Sequence, residues 1–271
     1  MNPFPPPETP IHLYWFSGSG NTLRAAETFA QRLRELGRQV ELRPLETATP
    51  EDFRPEAVFA LAFPTYCFSV PECVRKFVRA LPRADGTPAV MLGTHGAFSG
   101  GVRGPMKRML RGKGFRCLAA RIISMPDSFF PFTGQETNAA HMTRALEKVR
   151  CYAEDFHAGQ GSWPRDFLLS DIFGAFFAGG FYTRKWCGKW HTSVHPHAKK
   201  CTRCGTCVRL CPTGALQQKT PEDTPRPVRG CANCLRCVAV CPSDAMRHLI
   251  GFSPYRSEPA ADLRERFREN R

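Results

Sequence analysis

Eight of this chain's cysteines fall between positions 201 and 241, and their spacing repeats. CTRCGTCVRLCPTGAL begins at Cys201 and CANCLRCVAVCPSDAM at Cys231, identical at seven of sixteen positions with a period of thirty. Each copy reads C-x2-C-x2-C-x3-C-P. Four soft thiolates suit the iron atoms of a cubane cluster, and in this spacing three neighbouring cysteines wrap one cluster while the fourth crosses to the other. Cys201, Cys204, Cys207 and Cys241 are therefore expected to hold one cluster, and Cys231, Cys234, Cys237 and Cys211 a second. Structural zinc also takes four cysteines, but zinc modules usually separate two C-x2-C pairs by a longer spacer. The chain has thirteen cysteines in all, and its first residues, MNPFPPPETP, contain no basic segment, apolar run or twin-arginine pair. Metal ligation is thus the better reading than a disulfide framework, and the cytoplasm the expected location.

Residues 199–250 resemble a bacterial two-cluster [4Fe-4S] ferredoxin, and the resemblance implies one-electron transfer at low potential. It also changes the meaning of the charge. The whole chain carries 38 Lys and Arg against 24 Asp and Glu, a formal +14, which by itself suggests an acidic partner, an anionic surface or anionic cofactors. Residues 199–250 hold nine basic and three acidic side chains. Two clusters at about −2 each would lower that +6 to about +2. Much of the local basicity then balances cofactor charge, and a nucleic-acid partner is not expected.

The preceding 150 residues read as strands alternating with helices. IHLYWF at 11–16 is a short apolar β-type run, followed by SGSGNT and then by Leu23, Ala26, Ala30, Leu33 and Leu36 at helical spacing. Strands are expected at 39–43, 58–63, 89–92 and 117–125. Helices are expected over Val74 to Leu81, around Met106 to Leu110 and over 138–157. Such alternation implies a parallel sheet covered on both faces, and right-handed crossovers make it doubly wound. The apolar run at 172–183 is twelve residues long, short of the roughly twenty a membrane-spanning helix needs. No transmembrane span is expected.

Ser17, Gly18, Ser19, Gly20, Asn21 and Thr22 lie where the first strand meets the first helix. A helix N-terminus offers free amides and the positive end of the dipole, and glycines let backbone approach a phosphate closely. The pattern lacks both the Lys-Ser/Thr ending of a triphosphate P-loop and G-x-G-x-x-G. It resembles the flavodoxin phosphate loop, Ser/Thr-x-Thr-Gly-x-Thr, with Ser19 in the middle Thr position. In such a sheet the ligand binds beyond the carboxyl ends of the strands at the switch point. Pro64, Thr65, Tyr66, Cys67 and Phe68 after the third strand, and Thr94, His95, Gly96, Phe98, Gly100 and Gly101 after the fourth, are then expected to flank an isoalloxazine.

The chain as a whole, over residues 11–250, resembles the cytoplasmic proteins that fuse an FMN-binding flavodoxin-like domain to a two-cluster ferredoxin. That resemblance implies an α/β, flavodoxin-like doubly wound parallel sheet in the order 2-1-3-4-5 over residues 11–159. It also implies an aromatic docking linker at 160–198, an α+β two-cluster ferredoxin domain at 199–250 and a charged tail at 251–271. FMN and two [4Fe-4S] clusters are the expected cofactors and a redox partner protein the expected partner. The function implied is coupling of two-electron FMN chemistry to one-electron carriers. The alternative is an FMN-dependent reductase of a small organic substrate, fed by the ferredoxin-type clusters. Cys67 reads as a packing residue, and Cys73, Cys117 and Cys151 as core. Cys187 with His191, His195 and His197 lacks the second cysteine of a zinc site. The Phe- and Trp-rich linker reads as buried between the domains rather than as a membrane-surface anchor.

Overall fold

The computed structural model describes residues 4–66, 69–96, 99, 101–128, 135–164, 194–228 and 230–248, with 135 and 136 as backbone alone. Strand β3, Val58–Pro64, is buried along its whole length, as a central parallel strand covered on both faces must be. β1, Ile11–Trp15, pairs with it from Ile11↔Val58 to Trp15↔Ala62, and β2, Val40–Pro44, lies beyond β1. On the other side come β4, Pro88–His95, and β5, Arg116–Ser124. All five are parallel, in the order β2-β1-β3-β4-β5. This is the flavodoxin-like doubly wound order, and the chain reverses its direction of winding between β1 and β3.

Successive residues of a strand face opposite sides, so the sheet has two cores. Leu13, Ala60 and Val90 pack beneath α1, Asn21–Glu35, and α4, Gln135–His157, with Phe29, Val149 and Phe156. Tyr14, Phe59 and Leu61 pack on the other face against α2, Glu72–Ala80, and α3, Arg103–Gly112, with Phe77 and Met106. The expected helices and strands of the sheet domain are all present, with boundaries moved by no more than three residues.

One expected core residue is corrected. Cys151 is exposed, because Val149, Tyr152, Ala153 and Phe156 take the inner side of α4 and a residue between them on a 3.6-residue helix faces out. Cys73 and Cys117 are half-buried, and burial pushes their thiols up to about 12 and about 11.

β5 is an edge strand, a liability when its amides are left open. Here Ala120 N–H donates to Ser162 O at 3.0 Å, and the buried Trp163 donates from Nε1 to Arg103 O at 3.1 Å. The start of the aromatic linker therefore docks on the sheet domain. Residues 165–193, including Cys187 and His191, and the tail from 249 lie outside the described residues. The cysteine region is a small α+β unit. β6, Val194–Pro196, pairs antiparallel with β9, Met246–His248, and β7, Leu216–Gln217, with β8, Arg226–Pro227. Each cysteine repeat also contains one helical turn, α5, Thr206–Arg209, or α6, Arg236–Ala239. Among the described residues no helix is long and apolar enough to cross a membrane.

Candidate functional site

The strand ends after β1, β3 and β4 converge because the register places Pro64 beside Thr94, and Thr65 N–H donates to Thr94 O at 2.7 Å. They enclose a cavity of about 110 Å³ lined by Gly18, Ser19, Asn21, Thr22, Pro64, Thr65, Tyr66, Thr94, His95 and Gly96. At the entry to α1, Gly20 adopts φ 101°, which only glycine takes without strain, and its N–H donates to Ser17 Oγ at 3.1 Å. Thr22 and Thr94 share a buried hydroxyl hydrogen bond of 2.7 Å, which ties the α1 loop to the β4 loop. Among the described residues Asn21 Oδ1, Thr65 Oγ1 and His95 Nδ1 are buried without a hydrogen-bond partner. Buried polar groups are rarely left unpaired without reason. A ligand with donors and a phosphate at the helix N-terminus answers to all three atoms and to the free amides of the first turn, so the residues present fit FMN at its phosphate end.

Burial lowers the His95 pKa, and nearby His141 adds to this, so the ring is neutral near pH 7. Gly101 is buried, whereas Cys67, Phe68, Phe98 and Gly100 lie outside the described residues.

The wall also includes residues that the sequence reading passed over. Met125, Pro126, Asp127 and Ser128 follow β5, and Asn233, Cys234 and Leu235 come from the second cysteine repeat. Asn21 Nδ2 donates to Pro126 O at 2.8 Å, and Ser19 Oγ and Ser128 Oγ are 2.6 Å apart. A Cβ on Gly96 would stand 2.6 Å from Asp127 Oδ2, so the β4 and β5 loops touch there. Neighbouring parallel strands end side by side, and that signal could have drawn attention to the loop after β5.

Within the cysteine unit, burial and then the sulfurs of Cys241, Cys204 and Cys201 push the Cys207 thiol up to about 12. Cys241 therefore stands with the three cysteines of the first repeat. Cys211 stands near Cys231, Cys234 and Cys237, whose thiols are also raised, chiefly by burial. Cys201, Cys204, Cys207 and Cys241 line one small cavity. All eleven cysteines among the described residues are free. No three His, Cys, Asp or Glu side chains among the described residues converge closely enough to hold a single ion. Backbone amides already point at the sulfurs in matched places, Ala215 N–H to Cys211 Sγ and Ala245 N–H to Cys241 Sγ, each at 3.2 Å.

The junction between the two units turns on Arg236, whose side chain is 2% exposed. Its Nε donates to Ser17 O at 3.1 Å, its Nη2 donates to the same carbonyl and pairs with Glu46, and the guanidinium lies 5.5 Å from the centre of the Phe16 ring. Burial alone would lower its pKa, but Glu46 and the Cys234 sulfur more than reverse this, and the charge is kept. A Cβ on Gly18 would overlap both Cys234 O and Tyr66 Oη. Gly18 is thus demanded by the close approach of the cysteine repeat. The loop that caps α1 is at once the floor of the cavity and the platform on which the second repeat sits.

Residues 200–246 match the 4Fe-4S dicluster domain family. No curated protein sequence matches this chain. Among solved structures, a Streptococcus pneumoniae flavodoxin is 20% identical, covers 55% of this chain and 97% of its own, and has a TM-score of 0.42. An archaeal flavodoxin is 16% identical, with coverages of 55% and 97% and a TM-score of 0.42. Rubredoxin:oxygen oxidoreductase from Desulfovibrio gigas is 16% identical and covers 57% of this chain but 37% of its own, with a TM-score of 0.41. This chain thus joins a sheet of flavodoxin-like order to a segment similar to the 4Fe-4S dicluster domain.

Proposed function

We propose that this protein transfers electrons between an FMN held at the strand ends and two [4Fe-4S] clusters, with the second-repeat cysteines facing the flavin and the first-repeat cysteines facing outward. The observation that carries this reading is the shared wall: Asn233, Cys234 and Leu235 line the same cavity as the α1 loop and the β3 and β4 loops. FMN would be held by residues 17–22 at its phosphate and by the loops 64–68 and 94–101 at its ring. One cluster would be held by Cys231, Cys234, Cys237 and Cys211, and the other by Cys201, Cys204, Cys207 and Cys241. When bound, FMN supplies two-electron chemistry and each cluster one-electron chemistry.

The chain's own residues set distance, charge and access. Ser19 and Thr22 place hydroxyls at the α1 terminus, and neutral His95 offers a hydrogen bond rather than a charge. Arg236 holds the loop carbonyl of Ser17 and keeps a positive charge beside Cys234, which offsets the charge of a cluster there.

The test is anaerobic purification followed by iron, sulfide, zinc and flavin analysis. The reading expects about eight iron, about eight sulfide and about one FMN per chain. Zinc in place of iron, or FAD in place of FMN, would contradict it.

A further inference from the structure

The two cysteine repeats differ most in what lies outside them. Residues 194–221 contain Lys199, Lys200, Arg203, Arg209 and Lys219 and neither Asp nor Glu, and all five basic side chains are exposed. Cys204 is exposed in their midst. Lys199 and Lys200 occupy the turn that closes when Lys200 N–H and Cys201 N–H donate to His197 O, at 2.9 and 3.1 Å, which sets both lysines beside the first cysteine. Arg203 sits between Cys201 and Cys204. Arg209 Nη1 donates to Cys204 O at 2.8 Å, which brings a second guanidinium to the same edge. None of these five side chains is ion-paired to a carboxylate among the described residues.

A cluster held there brings about −2 of charge, and Glu222 and Asp223, drawn to this edge by Gln218 Nε2, which donates to both Arg203 O and Asp223 O at 3.3 and 2.9 Å, bring two negative charges more, so the five basic groups leave the edge positive by about 1. Uncompensated charge of one sign around a site steers partners of the opposite sign and sets orientation more than final affinity. The exposed sulfur at the centre of the patch separates this surface from a general anion-binding one, because it gives an electron a short exit only where the partner covers Cys204.

We infer that the edge around Cys204 is the docking face for an acidic one-electron carrier protein, which exchanges a single electron with the first-repeat cluster. The inference rests on the electron-transfer reading above and names the class of partner for it. The one-electron step balances as reduced cluster plus oxidised carrier giving oxidised cluster plus reduced carrier, or its reverse.

The experiment measures binding of the iron-loaded full chain to two probe carriers, an acidic plant-type [2Fe-2S] ferredoxin and a basic c-type cytochrome, by titration calorimetry. The acidic probe should bind, and its Kd should weaken by roughly tenfold or more between about 20 and about 200 mM salt, because screening lengths fall through the size of the contact. The basic probe should not bind. Lys199→Glu/Lys200→Glu/Arg203→Glu should abolish binding of the acidic probe. Arg144→Glu/Lys148→Glu/Arg150→Glu, which makes the same change of net charge on exposed positions of α4, should leave it within about twofold, since steering depends on local and not total charge.

Equal loss from both triple variants, no binding of the acidic probe, or tighter binding of random-sequence DNA or of anionic vesicles through Lys199, Lys200 and Arg203 would each overturn the inference. Iron analysis of the same samples separates the two readings. Protein that never carries iron refutes the proposed function, whereas loaded protein indifferent to the 199/200/203 substitution refutes the docking face alone.

Discussion

Arg203 and Asn233, Gly205 and Leu235, and Gly214 and Asp244 hold the same left-handed backbone positions in the two cysteine repeats. The backbones match, but the surroundings do not. Residues 202–204 are exposed, whereas 235–241 form an unbroken buried run. Val240 belongs to the α1–α4 core of the sheet domain, and Cys234 packs against the core on the opposite face. The two residues before the third cysteine explain how. In the first repeat they are Gly205 and Thr206, small and half-exposed. In the second they are Leu235, 6% exposed at φ 57°, and Arg236, 1% exposed. A cluster-binding frame thus tolerates different residues at these two positions, and there one copy has become a docking element while the other stays open to solvent.

The comparison breaks first at Arg236. Replacing it with Leu leaves the half-buried Glu46 without its partner and the buried Ser17 O without its donors, and loss of one member of a buried pair costs about 3–5 kcal/mol. The same replacement at the matched position, Thr206→Leu, should change stability by no more than about 0.5 kcal/mol, the scale of surface substitutions. Denaturant unfolding of the loaded protein measures both. If the double variant Arg236→Leu/Glu46→Leu recovers most of the loss, the charge pair and not the shape of the junction is responsible.

Leu235 gives a smaller and sharper test. Its left-handed backbone costs about 1–2 kcal/mol in strain, and its buried side chain contributes roughly 2–3 kcal/mol. Leu235→Gly relieves the first and loses the second, so a net destabilisation of about 1 kcal/mol is expected. Gly205→Leu in the other repeat adds strain with no core to enter and should cost a similar amount. Equal behaviour of Leu235→Gly and a surface change would mean that the second repeat does not pack as described.

The strand–helix alternation and the loops after β1, β3 and β4 were legible because each rests on local signals, apolar period and glycine and proline at ends, whereas the sheet order came from the resemblance those loops carry. The cysteine repeat is a local signal too. What stayed hidden is non-local. Arg236 and Glu46 lie 190 residues apart, and nothing in either neighbourhood announces an ion pair. Gly18 read as a phosphate-loop glycine, yet its missing side chain makes room for Cys234 O and Tyr66 Oη. Pro126 and Ser128 carry no motif and enter the site only because β5 ends beside β4. Cys151 was read as core because a cysteine near Val149 and Tyr152 looks apolar, but one step along a helix turns a side chain by about 100°.

The central claim is that the second repeat, not the first, is the neighbour of the flavin. Two variants address it directly, Cys204→Ala and Cys234→Ala, each checked for FMN content and for the circular dichroism of the sheet domain. Under anaerobic light-driven reduction of the bound flavin, bleaching of the remaining cluster absorbance is followed in time. The account expects Cys204→Ala to keep the parent's rate of cluster bleaching and Cys234→Ala to slow it by roughly tenfold or more, a loss of at least about 1.4 kcal/mol in barrier terms. A parent-like rate in Cys234→Ala with a slow rate in Cys204→Ala would contradict it.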